Sequence, residues 1–265
     1  MCVGKPDGPE HVPSMSPAKQ PAAQRGRASP RAAATPSYDW MPELRKAKAY
    51  EQILLDIILG GLAPGERLDE QALIRRYDSG LAGVRDALGR LALEGLVVRR
   101  PRFGTTVAPL DVIEVRQAFE VRALVEPQCA ALAAVHRTAE DVEALRRAFD
   151  GARKAIAKRD YRALVAMDQR FHGAIAHACR NPTLARILIP LQHKAARFWV
   201  FAMVENGEAT CMADVERHQA VTRCIAAGDV EGARAASLAA LGDFSDNVMR
   251  TITGGAAPRR AASAS

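Results

Sequence analysis

The chain has 265 residues, 48% hydrophobic and 25% charged, which is globular composition and enough length for one large core or two ordinary ones. Aromatic residues are only 5%, which argues against a stacking platform for single-stranded nucleic acid. Lys plus Arg number 37 against 30 acids, for a net charge of +7; this permits a polyanionic partner and equally suits an arginine-favouring base bias in the coding DNA. The five cysteines (Cys2, Cys129, Cys179, Cys211, Cys224) are irregularly spaced with no CxxC. That spacing speaks against a disulfide framework or a cysteine zinc site, and for reduced thiols. No run reaches about 18 apolar residues, so no membrane span is expected. The N-terminus lacks the apolar core of about 7–15 residues that marks a secretory signal. The expectation is a cytoplasmic protein.

Residues 1–42 are rich in Pro, Ala, Ser and Arg and read as a disordered tail, as do residues 254–265. The first tail is either a weak electrostatic arm or an idle extension. Order is expected from Glu43. Tyr50, Ile53, Leu54, Ile57 and Ile58 recur on one face of a helix, which Gly60 and Gly61 stop. Asp69 is placed to cap a second helix running through Tyr77, with Leu73 and Ile74 facing inward. After Asp78-Ser79-Gly80, a third helix carries Val84, Leu88 and Leu91 inward until Gly95. Leu96–Arg99 and Thr105–Ala108 read as strands around the turn Pro101–Gly104. This order predicts the winged form of helix-turn-helix over residues 43–108. Its third helix suits a major groove about 12 Å wide. The hairpin tip Arg99-Arg100-Pro101-Arg102-Phe103-Gly104 sets three guanidiniums where a phosphate backbone could lie. A solvated basic turn in an unrelated domain is the competing reading.

After a linker at Pro109–Asp111, residues 111–253 are dominated by helix formers without strand-like alternation. Helices are expected near 111–135, 138–158, 160–179, 182–206, 211–227 and 229–252, with Asn181-Pro182, Gly207 and Gly228-Asp229 between them. Short connections imply an antiparallel α-helical bundle. The fold class is therefore mainly α: an N-terminal winged helix-turn-helix and a C-terminal bundle. Asp168 and His172, four apart, share one helix face. Together with His218 on a later helix, they form a donor set that suits Zn, Ni or Mn better than Ca or Mg. A metal-free pocket in which Asp168 hydrogen-bonds His172 is the competing reading. His136, His177 and His193 have no partner at ligand spacing and read as surface or satisfied core residues. Arg122 either clamps an anionic effector or pairs with Glu126 within its helix.

The segment Leu62–Val107 resembles the DNA-binding domain of the GntR family of bacterial transcription regulators. The resemblance is carried by Gly61-Leu62-Ala63-Pro64-Gly65-Glu66-Arg67-Leu68, by Val84-Arg85-Asp86-Ala87-Leu88, by Glu94-Gly95-Leu96-Val97 and by the wing. The remainder resembles the FCD ligand-binding domain of the FadR-type branch through Arg122-Ala123-Leu124-Val125-Glu126-Pro127, Asp168-Gln169-Arg170-Phe171-His172, Asn181-Pro182-Thr183-Leu184 and Glu216-Arg217-His218-Gln219. The resemblance implies a homodimer on double-stranded DNA that answers to a small effector, expected to be a carboxylate, and no enzymatic activity. It implies DNA contacts from Arg85, Arg99, Arg100, Arg102 and Gly104 and a metal site at Asp168, His172 and His218; an effector contact from Arg122 rests on its two-pronged guanidinium.

Two departures from the family pattern stand out. The recognition helix ordinarily begins with a Ser-Arg-Thr-Pro-type segment, where this chain has Gly80-Leu81-Ala82-Gly83. A guanine-reading arginine there would contribute about 1–3 kcal/mol of discrimination, and two helical glycines would each cost about 1 kcal/mol relative to Ala. DNA reading that leans on backbone contacts and an unusual operator is one outcome; a sensor with weakened or lost DNA binding is the other. In the bundle, the third family histidine is replaced by Ala240, which leaves three ligands, with Asp243 one turn later as a candidate to reach in. A three-ligand site is also how catalytic zinc is built, but no general base stands beside it in the sequence.

Overall fold

The computed structural model describes residues 45–253. Both expected tails and residues 43–44 lie outside the described residues. The chain order is α1 (Arg45–Ile58), β1 (Arg67–Leu68), α2 (Glu70–Tyr77), α3 (Leu81–Leu93), β2 (Val97–Arg100) and β3 (Gly104–Val107), then α4 (Val112–His136), α5 (Ala139–Arg147), α6 (Ala152–Ala157), α7 (Tyr161–Ala178), α8 (Pro182–Ala227) and α9 (Val230–Thr253). This is a winged helix-turn-helix followed by a helical bundle.

In the winged part, the periodic residues of α1 are all buried, as are Val84, Leu88 and Leu91 of α3. α1 packs on α3 through them. Asp69 accepts from the Ala72 amide at 2.7 Å and starts α2, satisfying one orphan amide of its first turn. Asp78 ends α2 in the left-handed conformation, φ 46°. The three strands run antiparallel in the order β1-β3-β2. The register pairs Arg100 with Gly104 and so holds the wing tip. β1 was not foreseen: two residues offer no alternation to read.

In the bundle, α4 packs against α8 and α9, and α7 against α4, α5 and α8. Two expectations need correction. The helix expected over 138–158 is split into α5 and α6, because Gly151 adopts φ 83° at the start of α6. The expected gap between 206 and 211 is instead a break at one residue: Gly207 has φ 70° and ψ −158° with helix on both sides. Both conformations suit glycine, which lacks the Cβ that opposes them.

Side-chain contacts tie the winged part to the bundle. Asp56 on α1 accepts from Arg162 of α7 at 2.8 Å, from Arg76 of α2 at 2.6 Å and from the Tyr77 hydroxyl at 2.8 Å. Arg197 of α8 donates to the Ala108 carbonyl at 2.7 Å, holding the linker. Among the described residues, no helix is long and apolar enough to cross a membrane.

Candidate nucleic-acid interface and metal centre

The outward side of α3 carries Leu81, Ala82, Arg85 and Asp86. Its other arginine, Arg90, stacks over the Tyr50 ring at 3.9 Å. Arg85 is therefore the single outward cation of this helix. It is held by Glu70 of α2, Nε to Oε2 2.9 Å. That pair is largely exposed and worth at most about 1 kcal/mol, so Arg85 can exchange it for another acceptor. Gly80 caps α3 without a side-chain hydrogen bond. The expected cost of two helical glycines is thereby corrected. Gly80 lies outside the helix, where glycine costs only a few tenths of a kcal/mol as a cap. Only Gly83 is inside, and it is buried on the side away from the reading face.

At the wing, Arg99, Arg100 and Arg102 are exposed, and Phe103 at the tip is 75% exposed. Arg102 adopts φ 67° and Gly104 φ 90°. Gly104 thus shapes the turn that presents the guanidiniums; a Cβ there would meet left-handed strain.

Inside the bundle, α7 places Asp168 and His172 on one face and α8 brings His218 to them. One ligand atom from each lies within 4.8 Å of the others. Asp168 Oδ1 is 3.4 Å from His172 Nε2 and 3.7 Å from His218 Nε2. His218 Nδ1 lies 2.7 Å from the Asp214 carbonyl. Donation there puts the proton on Nδ1 and leaves Nε2 with its lone pair toward the cluster, the orientation metal sites use. Burial and then the neighbouring His172 hold the His218 ring below its ordinary pKa, which favours the neutral ligand form. Burial pushes the Asp168 carboxyl up, but His172, His218 and Arg122 outweigh it and hold it low. The other Asp168 oxygen accepts from Gln192 at 2.6 Å.

The surrounding cavity has about 30 Å³ of room and is lined also by Arg122, Glu126, Asp214, Arg217 and Ala240. Arg122 donates to Glu126 from Nε at 2.9 Å and Nη2 at 2.7 Å. The intrahelical pair with Glu126 thus forms, and the same side chain lines the pocket. In the lining, the buried Gln192 Oε1 and His172 Nδ1 have no hydrogen-bond partner. A carboxylate, two imidazole nitrogens and an orphaned acceptor fit a borderline divalent ion with a bound water or ligand donor. Ala240 stands at the wall. Asp243 does not reach in: it is 66% exposed and 3.6 Å from Arg217. His193 and His177 keep out of the cluster and face Glu94 at 2.8 Å and Asp141 at 3.7 Å.

Sequence reasoning missed Gln192, Asp214 and Arg217. Asp214 was findable, since it precedes His218 by four residues and shares its helix face. Gln192 carries no such signal, because only the rotation of α8 against α7 decides where it points.

The signature of the bacterial regulatory proteins of the gntR family matches residues 45–107, and that of the FCD domain matches residues 117–243. The HTH-type transcriptional regulator LutR of Bacillus subtilis is 29% identical over 212 residues, 71% of this chain and 93% of LutR. The HTH-type transcriptional repressor GlaR of Escherichia coli is 30% identical over 203 residues, 71% of this chain and 88% of GlaR. The solved structure of E. coli McbR/YncC shares the fold, with a TM-score of 0.68 at 20% identity over 79% of this chain and 99% of that one. A winged reading domain joined to an FCD bundle defines a transcription regulator and not an enzyme. The chain belongs to the GntR family, in its FadR-type branch.

Proposed function

We propose that this regulator is a cytoplasmic homodimer that binds a pseudo-palindromic operator and releases or tightens its hold when the bundle pocket is filled. The winged domain would span residues 43–108 and the effector domain 111–253. Arg99, Arg100 and Arg102 would neutralise phosphates, with Gly104 shaping the wing, and Arg85 would leave Glu70 for a base or phosphate. Because Leu81 and Ala82 stand where the family reads bases, we assign most of the affinity to backbone contacts, which makes it steeply salt-dependent.

The observation that carries the ligand-responsive part is the buried Asp168–His172–His218 cluster beside Arg122. These three residues would hold Zn, Ni or Mn. Such an ion supplies a Lewis-acidic position open to water or an effector carboxylate. Arg122, paired with Glu126, would meet the carboxylate. A room of about 30 Å³ admits water, which needs roughly 10–15 Å³, and not an organic molecule. An organic effector therefore has to move the pocket walls, which is the differential interaction a switch requires.

The dimer reading is supported by α4. Ile113, Val121 and Leu124 are exposed at 61%, 40% and 77%. At about 100° per residue they fall within an 80° sector of the helix. A second copy packing on this stripe would set two recognition helices on half-sites about 34 Å apart.

The test is fluorescence anisotropy on the chain's own upstream intergenic DNA against scrambled DNA, at two salt concentrations. Preference for the upstream fragment that survives competitor supports the reading. Equal binding to both, lost steeply with salt, would leave only backbone contacts. No binding would favour a sensor that has given up DNA, the outcome Gly80-Leu81-Ala82-Gly83 keeps open.

A further inference from the structure

Two consecutive residues of α8 reach in different directions and touch both sites. Gln192 donates from Nε2 to Asp168 at 2.6 Å. His193 Nδ1 lies 2.8 Å from Glu94 Oε2, and Glu94 is the C-terminal cap of the recognition helix α3. The other oxygen of Glu94 accepts from the Tyr50 hydroxyl of α1 at 2.6 Å. Gln192 and His193 are 3% and 4% exposed. Consecutive helical side chains diverge by about 100°, so one residue points into the bundle and its neighbour points at the reading domain.

We infer that Gln192 and His193 are the positioning residues that couple the Asp168–His172–His218 pocket to the recognition helix, a role that rests on the function proposed above. The pocket end is sensitive because Asp168 shares its two oxygens between the imidazoles and Gln192, and the Gln192 acceptor Oε1 is buried without a partner. A guest that engages Asp168 or donates to that acceptor changes the pull on Gln192. The carrying element can respond, because Pro190 lies inside α8 two residues earlier and removes one helix hydrogen bond. The reading end is sensitive because Glu94 is held by a narrow geometry. Burial pushes its carboxyl up, yet His193 and Tyr50 outweigh burial and hold it low. Hydrogen bonds weaken steeply with distance and angle. A shift of α8 by about 1–2 Å, of the size helices make in switching proteins, therefore changes the grip on the end of α3.

The approach of α8 is tight at this place as well. A Cβ on Gly95, the residue after Glu94, would come within 2.8 Å of Lys194 Nζ, and Lys194 pairs with Glu114 of α4. Residues 192, 193 and 194 thus touch in turn the pocket, the cap of α3 and the turn that follows it. Movement of this one turn of α8 cannot leave α3 unaffected, because packed interiors shift between discrete arrangements and do not deform continuously.

The test compares full-length wild type with His193→Ala, His193→Asn and Glu94→Gln. Zinc(II) serves as the pocket probe and chelator-treated protein as the reference. Calorimetry reads zinc affinity, and anisotropy reads operator affinity with and without zinc. Wild type should show an operator affinity that zinc changes at least about fivefold, the low end of allosteric coupling. His193→Ala and Glu94→Gln should bind zinc as wild type does, with the zinc effect on operator affinity reduced to within about twofold of none. Asn places its amide near the position of Nδ1, so His193→Asn should recover part of the effect; a purely structural role would not show this split. Hydrogen exchange on wild type needs no variant: zinc should alter protection in the last turn of α3, Arg90 to Glu94. A zinc effect undiminished in His193→Ala would overturn the inference, as would unchanged protection in that turn. Wild type that binds zinc and operator independently would overturn it while leaving both sites in place. Wild type that takes up no zinc, or shows no sequence preference, would overturn the functional reading itself and the coupling with it.

Discussion

The wing and the bundle pocket handle charge in opposite ways. Arg99, Arg100 and Arg102 stand in water at a hairpin tip, where a guanidinium costs nothing to maintain and waits for phosphate. In the pocket, Arg122, Glu126 and Asp168 are all buried, and each of these charges faces a named partner. A surface built the first way tolerates substitution, as at the exposed Gly80, Leu81 and Ala82 at the head of the recognition helix. A site built the second way does not, since removing one member strands a charge in low dielectric.

Removing Arg122 gives the sharpest contrast. Arg122→Met leaves the Glu126 carboxylate buried beside the cluster, and the expected loss is about 3–5 kcal/mol, seen by circular dichroism as a melting point lowered by roughly 6–20 °C. A loss as small as that expected for the exposed Arg85–Glu70 pair would break the contrast. Next comes the cluster itself: Asp168→Ala should weaken zinc binding in calorimetry by more than about 100-fold, beyond what outer-shell changes cause. At the wing, changing Arg99, Arg100 and Arg102 to Ala should leave the melting point within about 1 kcal/mol of wild type in stability. The slope of log affinity against log salt should fall by about one per arginine, equally on specific and scrambled DNA. Arg85→Ala should act differently, costing about 1–3 kcal/mol on the operator alone if the side chain reads a base.

The smallest effect concerns the tie between the regions. Burial pushes the Asp56 carboxyl up, but Arg162, Tyr77 and Arg76 outweigh it and hold it below its ordinary 3.8. A carboxyl lowered in the folded state contributes stability that is complete above its unfolded pKa and lost as pH falls through the folded one. The gap in urea midpoint between wild type and Asp56→Asn should therefore be constant near neutrality and close below about pH 4.

The same division explains what the sequence discloses. The winged domain is legible because each device is local: the period of Tyr50, Ile53, Leu54, Ile57 and Ile58, the cap at Asp69, and the positive-φ glycines at the turns. The Asp168–His172 pair is legible because four residues make one helical turn. The partner of Arg85 is not, since Glu70 reaches it across two helices, and the break at Gly151 hides within a run of good helix formers. Gln192 and His193 are the least legible of all. Their roles depend on how α8 is rotated against α7 on one side and α3 on the other.

The central claim is that the pocket and the reading head are thermodynamically linked, and linkage is reciprocal. The most direct measurement is the zinc affinity of the full-length protein by calorimetry, free and saturated with its operator fragment. The account predicts that operator changes zinc affinity by the same factor, at least about fivefold, by which zinc changes operator affinity. Identical zinc affinity in the two states, with both ligands bound, would contradict it.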